Sequence, residues 1–303
     1  MRLGVDLGGT KIEAVLLDPD GEVAVRRRIA TPGGDYEGTI EAVRELADEL
    51  DGDRALPLGI GTPGSIGPIS GLMRNSNSTV LNGRAFDRDL AEATGRHIRL
   101  ANDADCFALA EAMAGAGAGA ATVFGVILGT GVGGGIVMHG QLASGPNRIS
   151  GEWGHTPLPL AGEDEQPGPV CYCGRRGCVE TWCSGPGLSA DHERRSGRRM
   201  NPDEIASAAA EGDALAQQSL ELHLDRLSRA LAQVVNILDP EVIVLGGGLS
   251  NLDHLYSGLG TAMRPHIFSD CFETRIARNL LGDSAGVIGA CWLWPDRPEE
   301  QAR

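Results

Sequence analysis

Three cysteines, Cys171, Cys173 and Cys178, fall within eight residues in the stretch CYCGRRGCVE, and Glu180 follows two positions after the last of them. Upstream, GEWGH carries Glu152 and His155 on one short segment. Three soft thiolates and one imidazole make a four-donor set suited to a tetrahedral structural zinc with no open position. The Cys-x-Cys start is tighter than an ordinary zinc-finger knuckle, whereas a redox pair more often shows Cys-x-x-Cys spacing. Seven cysteines are present in all; an odd number cannot all pair within one chain, and a reducing compartment disfavours a disulfide framework. Zinc held here would pin GEWGH to the loop carrying Glu180, so that two carboxylates face one substrate.

A second chemistry-bearing stretch is LANDAD, where an apolar strand delivers Asn102, Asp103 and Asp105 at its exit, a place where α/β folds commonly meet a ligand. A carboxylate there can take a proton from a substrate hydroxyl while Asn102 orients the same substrate. The alternative is an Asx cap, because a helical pattern, ADCFALAEAM, begins at this point. The two are compatible if Asp103 takes the proton and Asp105 lies near the helix start. Three glycine stretches complete the inventory. DLGGTK offers Gly8, Gly9, Thr10 and Lys11 but lacks the spacing of a Walker loop, so it reads as a strand-turn-strand corner whose amides, hydroxyl and ammonium can meet a phosphate. LGTGVGGG spans residues 128–135 and LGGG spans 245–248. Taken singly, each is equally a hairpin turn or a close helix-strand contact. Together they point to a nucleotide gripped between two lobes.

The elements that must position these residues follow from pattern. LGVDLGG reads as an apolar strand, and the alternation of IEAVLL with the DPDGE turn indicates two hairpins of an antiparallel sheet. IEAVRELADEL, after Thr39, has helical spacing. LPLGIGTPGSIG and HIRLANDAD read as strands, and ALAEAMAGAGAGA as a helix fading into a small-residue joint. Beyond that joint the opening recurs in outline, with Gly4 leading to Gly8 as Gly125 leads to Gly129. A polar insertion (160–170), a helical region (214–238) and the strand EVIVLGGGLS follow. This mixture predicts α/β architecture in two related lobes, with one boundary near 118.

The length of 303 residues suits one large or two moderate domains, and 42% apolar with 22% charged residues suits a globule with a substantial core. A net charge of −15 argues against general nucleic-acid or membrane surfaces, which attract Lys and Arg. The opening MRLGVDLGGTK shows no apolar signal region and no run approaches a membrane span, so the cytoplasm is expected. Disorder is expected only after Pro295.

In this order, DLGGTK, LANDAD, LGTGVGGG, GEWGH, CYCGRRGCVE and VIVLGGG resemble the ROK family of sugar kinases and sugar-responsive repressors over essentially the whole chain. The resemblance implies the two-lobed actin-like, hexokinase-type ATPase fold with ribonuclease H-like lobes, usually assembled as homodimers. One lobe would comprise 1–118 plus 288–303 and the other 119–287. It further implies Asp103 as general base. Asn102, Glu152, His155 and Glu180 would bind hexose hydroxyls, with Asn77 and Asn82 near the sugar. ATP and Mg²⁺ would be held by Asp6, Gly8, Gly9, Thr10 and Lys11, by Gly129, Thr130 and Gly131, and by Gly246 and Gly247 beside the adenosine. His155, Cys171, Cys173 and Cys178 match the family's zinc set. Fifteen residues separate His155 from Cys171, longer than usual in the family, and a loop extension is the simplest account.

Within the family, RNSNSTVLNGRAFDRDL and GDSAGVIGACWLWP resemble bacterial fructokinases of the manno(fructo)kinase type. The expected reaction is therefore phosphorylation of fructose to fructose 6-phosphate, with mannose or glucose as secondary acceptors and N-acetylglucosamine kinase as the rival. Repressors of the family carry a winged helix-turn-helix before the first glycine turn, for which a strand beginning at Leu3 leaves no place, and a sugar sensor without catalysis would be expected to lose the base.

Overall fold

In the computed structural model, which describes residues 1–76 and 78–294, strand β1 (Arg2–Leu7) lies at the middle of a five-stranded sheet. Its neighbours are β2 (Lys11–Leu17) on one side and β4 (Leu58–Gly61) on the other, with β3 (Val23–Ala30) and β7 (Ile98–Ala101) at the edges. β1, β2 and β3 form the expected antiparallel meander, while β1, β4 and β7 run parallel. The register aligns Asp6 with Gly61 and Gly61 with Ala101. Three parallel strands therefore end level, at the edge where Asn102 and Asp103 follow.

The period-two alternation of β1 divides its side chains between the sheet faces. Leu3, Val5 and Leu7 join the core formed with helices α1 (Tyr36–Asp51) and α2 (Phe86–Thr94), including Val43, Leu46 and Phe86. Gly4 and Asp6 face the opposite way, toward helix α9 (Ala285–Cys291). A Cβ at Gly59 would sit 1.9 Å from the Ala290 carbonyl oxygen, and one at Gly289 would sit 1.8 Å from the carbonyl oxygen of Cys106 on helix α3 (Asp103–Ala114). Glycine is required there because α9 lies directly on the sheet and on α3. Helix α1 starts at Tyr36, ahead of the expected stretch after Thr39, because the Asp35 carboxylate accepts the Gly38 amide at 2.9 Å and caps it. On edge strand β3, Arg28 and Arg26 lie 2.5 and 3.5 Å from the buried carboxylate of Glu13, and such charge discourages edge-to-edge pairing. The short strands β5 (Ser65–Ile66) and β6 (Met73–Arg74) pair with each other in the loop between β4 and α2.

Among the described residues this first unit comprises Met1–Ala118, Gly140–Ser150 with the short β10 (Gln141–Leu142), and residues 281–294. The second comprises Gly119–His139 and Gly151–Leu280. The return expected at 288 falls inside α9, a helix packed as a whole on β1 and β4, so the crossing lies upstream of it.

In the second unit, β8 (Thr122–Leu128) pairs antiparallel with β9 (Val132–Met138) and parallel with β11 (Val242–Gly246), which pairs parallel with β12 (Arg275–Arg278). Thus β9, β8 and β11 repeat the arrangement of β2, β1 and β4, as the recurring Gly-rich opening predicted. Helices α4 (Val179–Cys183), α5 (Gly185–Ser196), α6 (Pro202–Ala210), α7 (Ala214–Leu238) and α8 (Asp253–Met263) complete it. Its core joins Phe124, Val126 and Leu128 to Leu227 and Leu231 of α7 and to Leu255 and Leu259 of α8. Among the described residues, no helix is long and apolar enough to cross a membrane.

Candidate functional site

In the first unit the chemistry gathers at the level ends of β1, β4 and β7. Asp6 is the last polar residue of β1, and Cβ positions at Gly61 and Gly286 would lie 3.5 and 3.1 Å from its carboxylate oxygens. The chain is cleared of side chains on both sides of it. Burial first, and the nearby Asp103 charge second, raise the Asp6 pKa to about 6. Asp103 opens α3. Its Oδ1 accepts the Ala104 amide at 2.9 Å, and loss of hydration still outweighs that bond and moves its pKa up. Asp103 nevertheless remains open to solvent. Two carboxylates crowded in this way, one of them half-buried, fit a hard cation held by oxygen donors.

The cap and the chemistry are divided between neighbours. Asn102 Oδ1 accepts the Asp105 amide at 2.6 Å and caps α3. Its amide nitrogen, and the second lone pair of Oδ1, are left for a ligand. In the first glycine turn, Gly8 N donates to Lys11 O at 2.9 Å, closing the corner with Gly9 and Thr10 exposed at its tip. Lys11 Nζ lies 3.9 Å from Glu13 Oε2. Asn82 spends its side chain on the backbone of Ser76, accepting its amide and donating to its carbonyl at 2.9 Å each. It braces a loop, as Asn residues in turns do. The expected sugar contact Asn77 lies outside the described residues.

In the second unit, Gly129, Thr130 and Gly131 form the turn between β8 and β9, with Gly129 N donating to Gly131 O at 3.0 Å. The remaining glycines of LGTGVGGG have a different task. A Cβ at Gly134 would lie 2.8 Å from the Trp153 ring, one at Gly151 would meet Gly134 O at 2.1 Å, and one at Gly154 would meet Val132 O at 2.1 Å. GEWGH is therefore laid flat on β9, with Trp153 Nε1 donating to Gly133 O at 2.9 Å and its ring edge-on to Phe124. That placement leaves Glu152 exposed and presents His155 to the cysteine loop.

His155 Nδ1 is 3.5 Å from Cys171 Sγ, Cys173 Sγ is 3.6 Å from Cys178 Sγ, and all four candidate donor atoms lie within 4.8 Å of one another. Sulfurs about 2.3 Å from a tetrahedral zinc are separated by about 3.8 Å along each edge, so the donor set fits that ion. Burial pushes the Cys178 thiol up to about 12 and raises that of Cys171; a bound cation would have to displace those protons. The other imidazole nitrogen, Nε2, is 2.8 Å from the Tyr172 hydroxyl.

Glu180, in α4, touches both the glycine turn and the cysteine loop. Its Oε2 accepts the Val132 amide at 3.0 Å and its Oε1 lies 3.8 Å from Cys171 Sγ. The long segment between His155 and Cys171 takes a defined path. Glu165 accepts from Arg226 at 2.7 Å and from Arg229 at 2.8 and 3.0 Å, and Arg229 also donates to the carbonyls of Pro159 and Leu160. Burial alone would raise the Glu165 pKa, but the two guanidiniums outweigh it and hold it low. The insertion is thus anchored on α7 by a part-buried ion-pair network.

A cavity of about 860 Å³ opens in this unit beside Gly129 and Thr130, between the starts of α5 and α6 and the turn after β11. Neither Gly246 nor Gly247 lines it. A Cβ at Gly247 would lie 2.5 Å from Leu128 O, so this glycine, with φ of 79°, serves close packing against β8. Gly248, Leu249 and Asn251 line the cavity instead, facing Pro186, Met200, Asn201 and Pro202. Sequence reasoning missed the α5 and α6 residues. Their signal was present in SGPG and NPDE, two helix starts marked by a capping Ser184 or Asn201 with Pro in the first turn.

Residues 2–297 match the ROK family. The chain is 36% identical over 300 residues to N-acetyl-D-glucosamine kinase of Yersinia enterocolitica, covering 97% of this chain and 99% of that one. It superposes with a TM-score of 0.85 on a ROK hexokinase from Thermus thermophilus, at 31% identity and with 96% and 97% of the two chains covered. A ROK glucokinase from Streptomyces griseus, solved with glucose and AMPPNP, superposes with a TM-score of 0.72 at 26% identity, again over 96% and 97% of the two chains. The kinship thus runs through sugar kinases, and the relatives carry the name of the rival reading rather than that of a fructokinase. A sequence match over nearly its whole length and a hexokinase-type fold with both glycine turns in place establish that the chain belongs to the ROK family, among its sugar kinases.

Proposed function

We propose that the protein transfers the terminal phosphoryl group of ATP to a hydroxyl of N-acetyl-D-glucosamine. The preference for fructose expected from sequence is set aside, because relatives at 35% and 36% identity are named N-acetyl-D-glucosamine kinases. The observation that carries the chemistry is the placing of Asp103, a solvent-open carboxyl whose pKa is raised, at the level ends of three parallel strands near the half-buried Asp6. A base of raised pKa takes a proton more effectively as the sugar hydroxyl attacks phosphorus.

Phosphoryl transfer asks for in-line positioning and charge neutralisation rather than covalent help. Asp6 is assigned to Mg²⁺. The turn of Gly8, Gly9, Thr10 and Lys11 and the turn of Gly129, Thr130 and Gly131 are assigned to the phosphates, and the cavity beside Gly248 to the nucleoside. Asn102, Glu152, His155 and Glu180 are each assigned to sugar hydroxyls. Zinc would be held by His155, Cys171, Cys173 and Cys178, where it would fix the segment that carries His155 and the approach to Glu180.

The test is sugar-dependent ADP release measured with N-acetylglucosamine, fructose, mannose and glucose. The expected order puts N-acetylglucosamine first by kcat/KM. A higher value for fructose would restore the earlier reading, and no stimulation by any sugar would favour a sensor.

A further inference from the structure

Tyr172 stands between two candidate zinc ligands in the chain, yet 81% of its surface is open to solvent. Its backbone is fixed: Cys171 N donates to Arg175 O at 2.8 Å and Gly174 N donates to Cys171 O at 3.0 Å. The ring itself meets His155. The hydroxyl is 2.8 Å from His155 Nε2, and the two rings meet edge-on with centroids 5.0 Å apart. With Nδ1 of the same imidazole 3.5 Å from Cys171 Sγ, zinc bound in the cysteine cluster would leave the ring proton on Nε2, with the phenol oxygen as its acceptor. The hydroxyl therefore sits against His155, one of the side chains assigned above to the sugar.

Resting on that assignment, we propose that Tyr172 is a displaceable positioning residue whose phenol oxygen occupies, in the sugar-free protein, the place at His155 Nε2 that a sugar hydroxyl takes on binding. Phenol and sugar hydroxyl oxygens are equivalent acceptors for one N–H donor, which has a single proton to give. The cap keeps Nε2 protonated and the ring oriented while the site is empty. An exposed side chain on a fixed backbone leaves by rotation about its own bonds, without disturbing the cysteines on either side. Sugar binding then has to break one hydrogen bond that the protein already makes.

The test is Tyr172→Phe in the zinc-loaded enzyme, which removes the acceptor and keeps the ring. The expected result is a split: KM for the sugar falls about fivefold, the size of one net hydrogen bond, while kcat and zinc content stay at the wild-type level. An unchanged or raised KM overturns the proposal, the latter by showing that the phenol binds sugar directly. Loss of zinc also overturns it, because the tyrosine would then serve the metal. A measurement independent of turnover is the ¹⁵N-histidine spectrum of the sugar-free protein, in which the His155 Nε2 resonance is expected to move in the variant. If it does not move, the cap is absent. Wild-type enzyme that phosphorylates no sugar would instead count against the kinase reading, and the spectrum would still decide the question of the cap.

Discussion

Oε2 of Glu180 accepts the backbone amide of Val132 at 3.0 Å, while the other carboxylate oxygen lies 3.8 Å from Cys171 Sγ. One side chain thus ties the end of the second glycine turn to the cysteine loop. A residue that only bound sugar would affect sugar KM alone. Glu180→Ala frees the Val132 amide and is expected to raise KM for ATP as well as for sugar, each about tenfold, the size of a lost hydrogen bond to a charged group. Glu180→Gln keeps an acceptor for the amide and is expected to raise sugar KM while leaving ATP KM near the wild-type value. Steady-state kinetics with both substrates varied would check this, and an ATP KM unmoved by alanine would refute the tie.

Asp103→Asn removes the base but keeps the size of the side chain and an oxygen for the Ala104 amide. Turnover is expected to fall by about 10³-fold, within the range for loss of a general base, while sugar affinity by calorimetry and the melting temperature stay close to wild type. Retained turnover would remove Asp103 from the mechanism.

The legible parts of the fold were those set by local pattern. The β1–β2–β3 meander, the strand before Asn102 and helix α7 followed from periodicity, because each is specified by side chains near in sequence. What sequence could not show was which glycines serve a ligand. Gly129 and Gly134 stand in one stretch, yet a Cβ would have no atom within 4 Å at the first and would meet Trp153 at 2.8 Å at the second. The distinction depends on a segment, GEWGH, that arrives from elsewhere in the chain. For the same reason sequence could not separate Gly247, packed against Leu128, from Gly248, which lines the cavity. The path of the acidic insertion was not legible because Arg226 and Arg229, its partners on α7, lie some sixty residues away.

Gly134→Ala tests the packing role. The added methyl would lie within 3 Å of both Trp153 and Phe124, and overpacking of this kind costs about 1–3 kcal/mol. A melting temperature lower by about 3–8 °C is expected, with little change in ATP KM. Gly129→Ala, at a position with open space around it, is expected to do the reverse: unchanged melting and a raised ATP KM.

Cys178→Ser tests the metal. The four-donor set accommodates zinc, so wild-type protein is expected to carry about one ion per chain and the serine variant much less by elemental analysis. Chelation of the wild type should lower its melting temperature and raise sugar KM together, because His155 and the Glu180 loop lose their common anchor. Metal-free protein with unchanged melting and kinetics would defeat the assignment.

Asp6 provides the pH test. Burial chiefly, and Asp103 secondarily, raise its pKa from 3.8 to about 6 in the folded protein. A carboxyl whose folded value exceeds its unfolded one contributes stability that is fully present below about pH 4 and is lost as pH rises through about 6. Above that pH the folded protein holds an ionised, poorly hydrated carboxylate, and a magnesium ion would relieve that cost. In the absence of Mg²⁺, Asp6→Asn is therefore expected to melt no lower than wild type at pH 8, and lower than wild type relative to that reference at pH 5. With Mg²⁺ and a non-hydrolysable ATP analogue, wild type should gain stability at pH 8 and gain less at pH 5, where the ion must first displace a proton, while the variant should gain little at either. Thermal melts of the two proteins at both pH values, with and without the metal complex, would check all of these outcomes. Equal stabilisation of variant and wild type at pH 8 would show that the ion is held elsewhere.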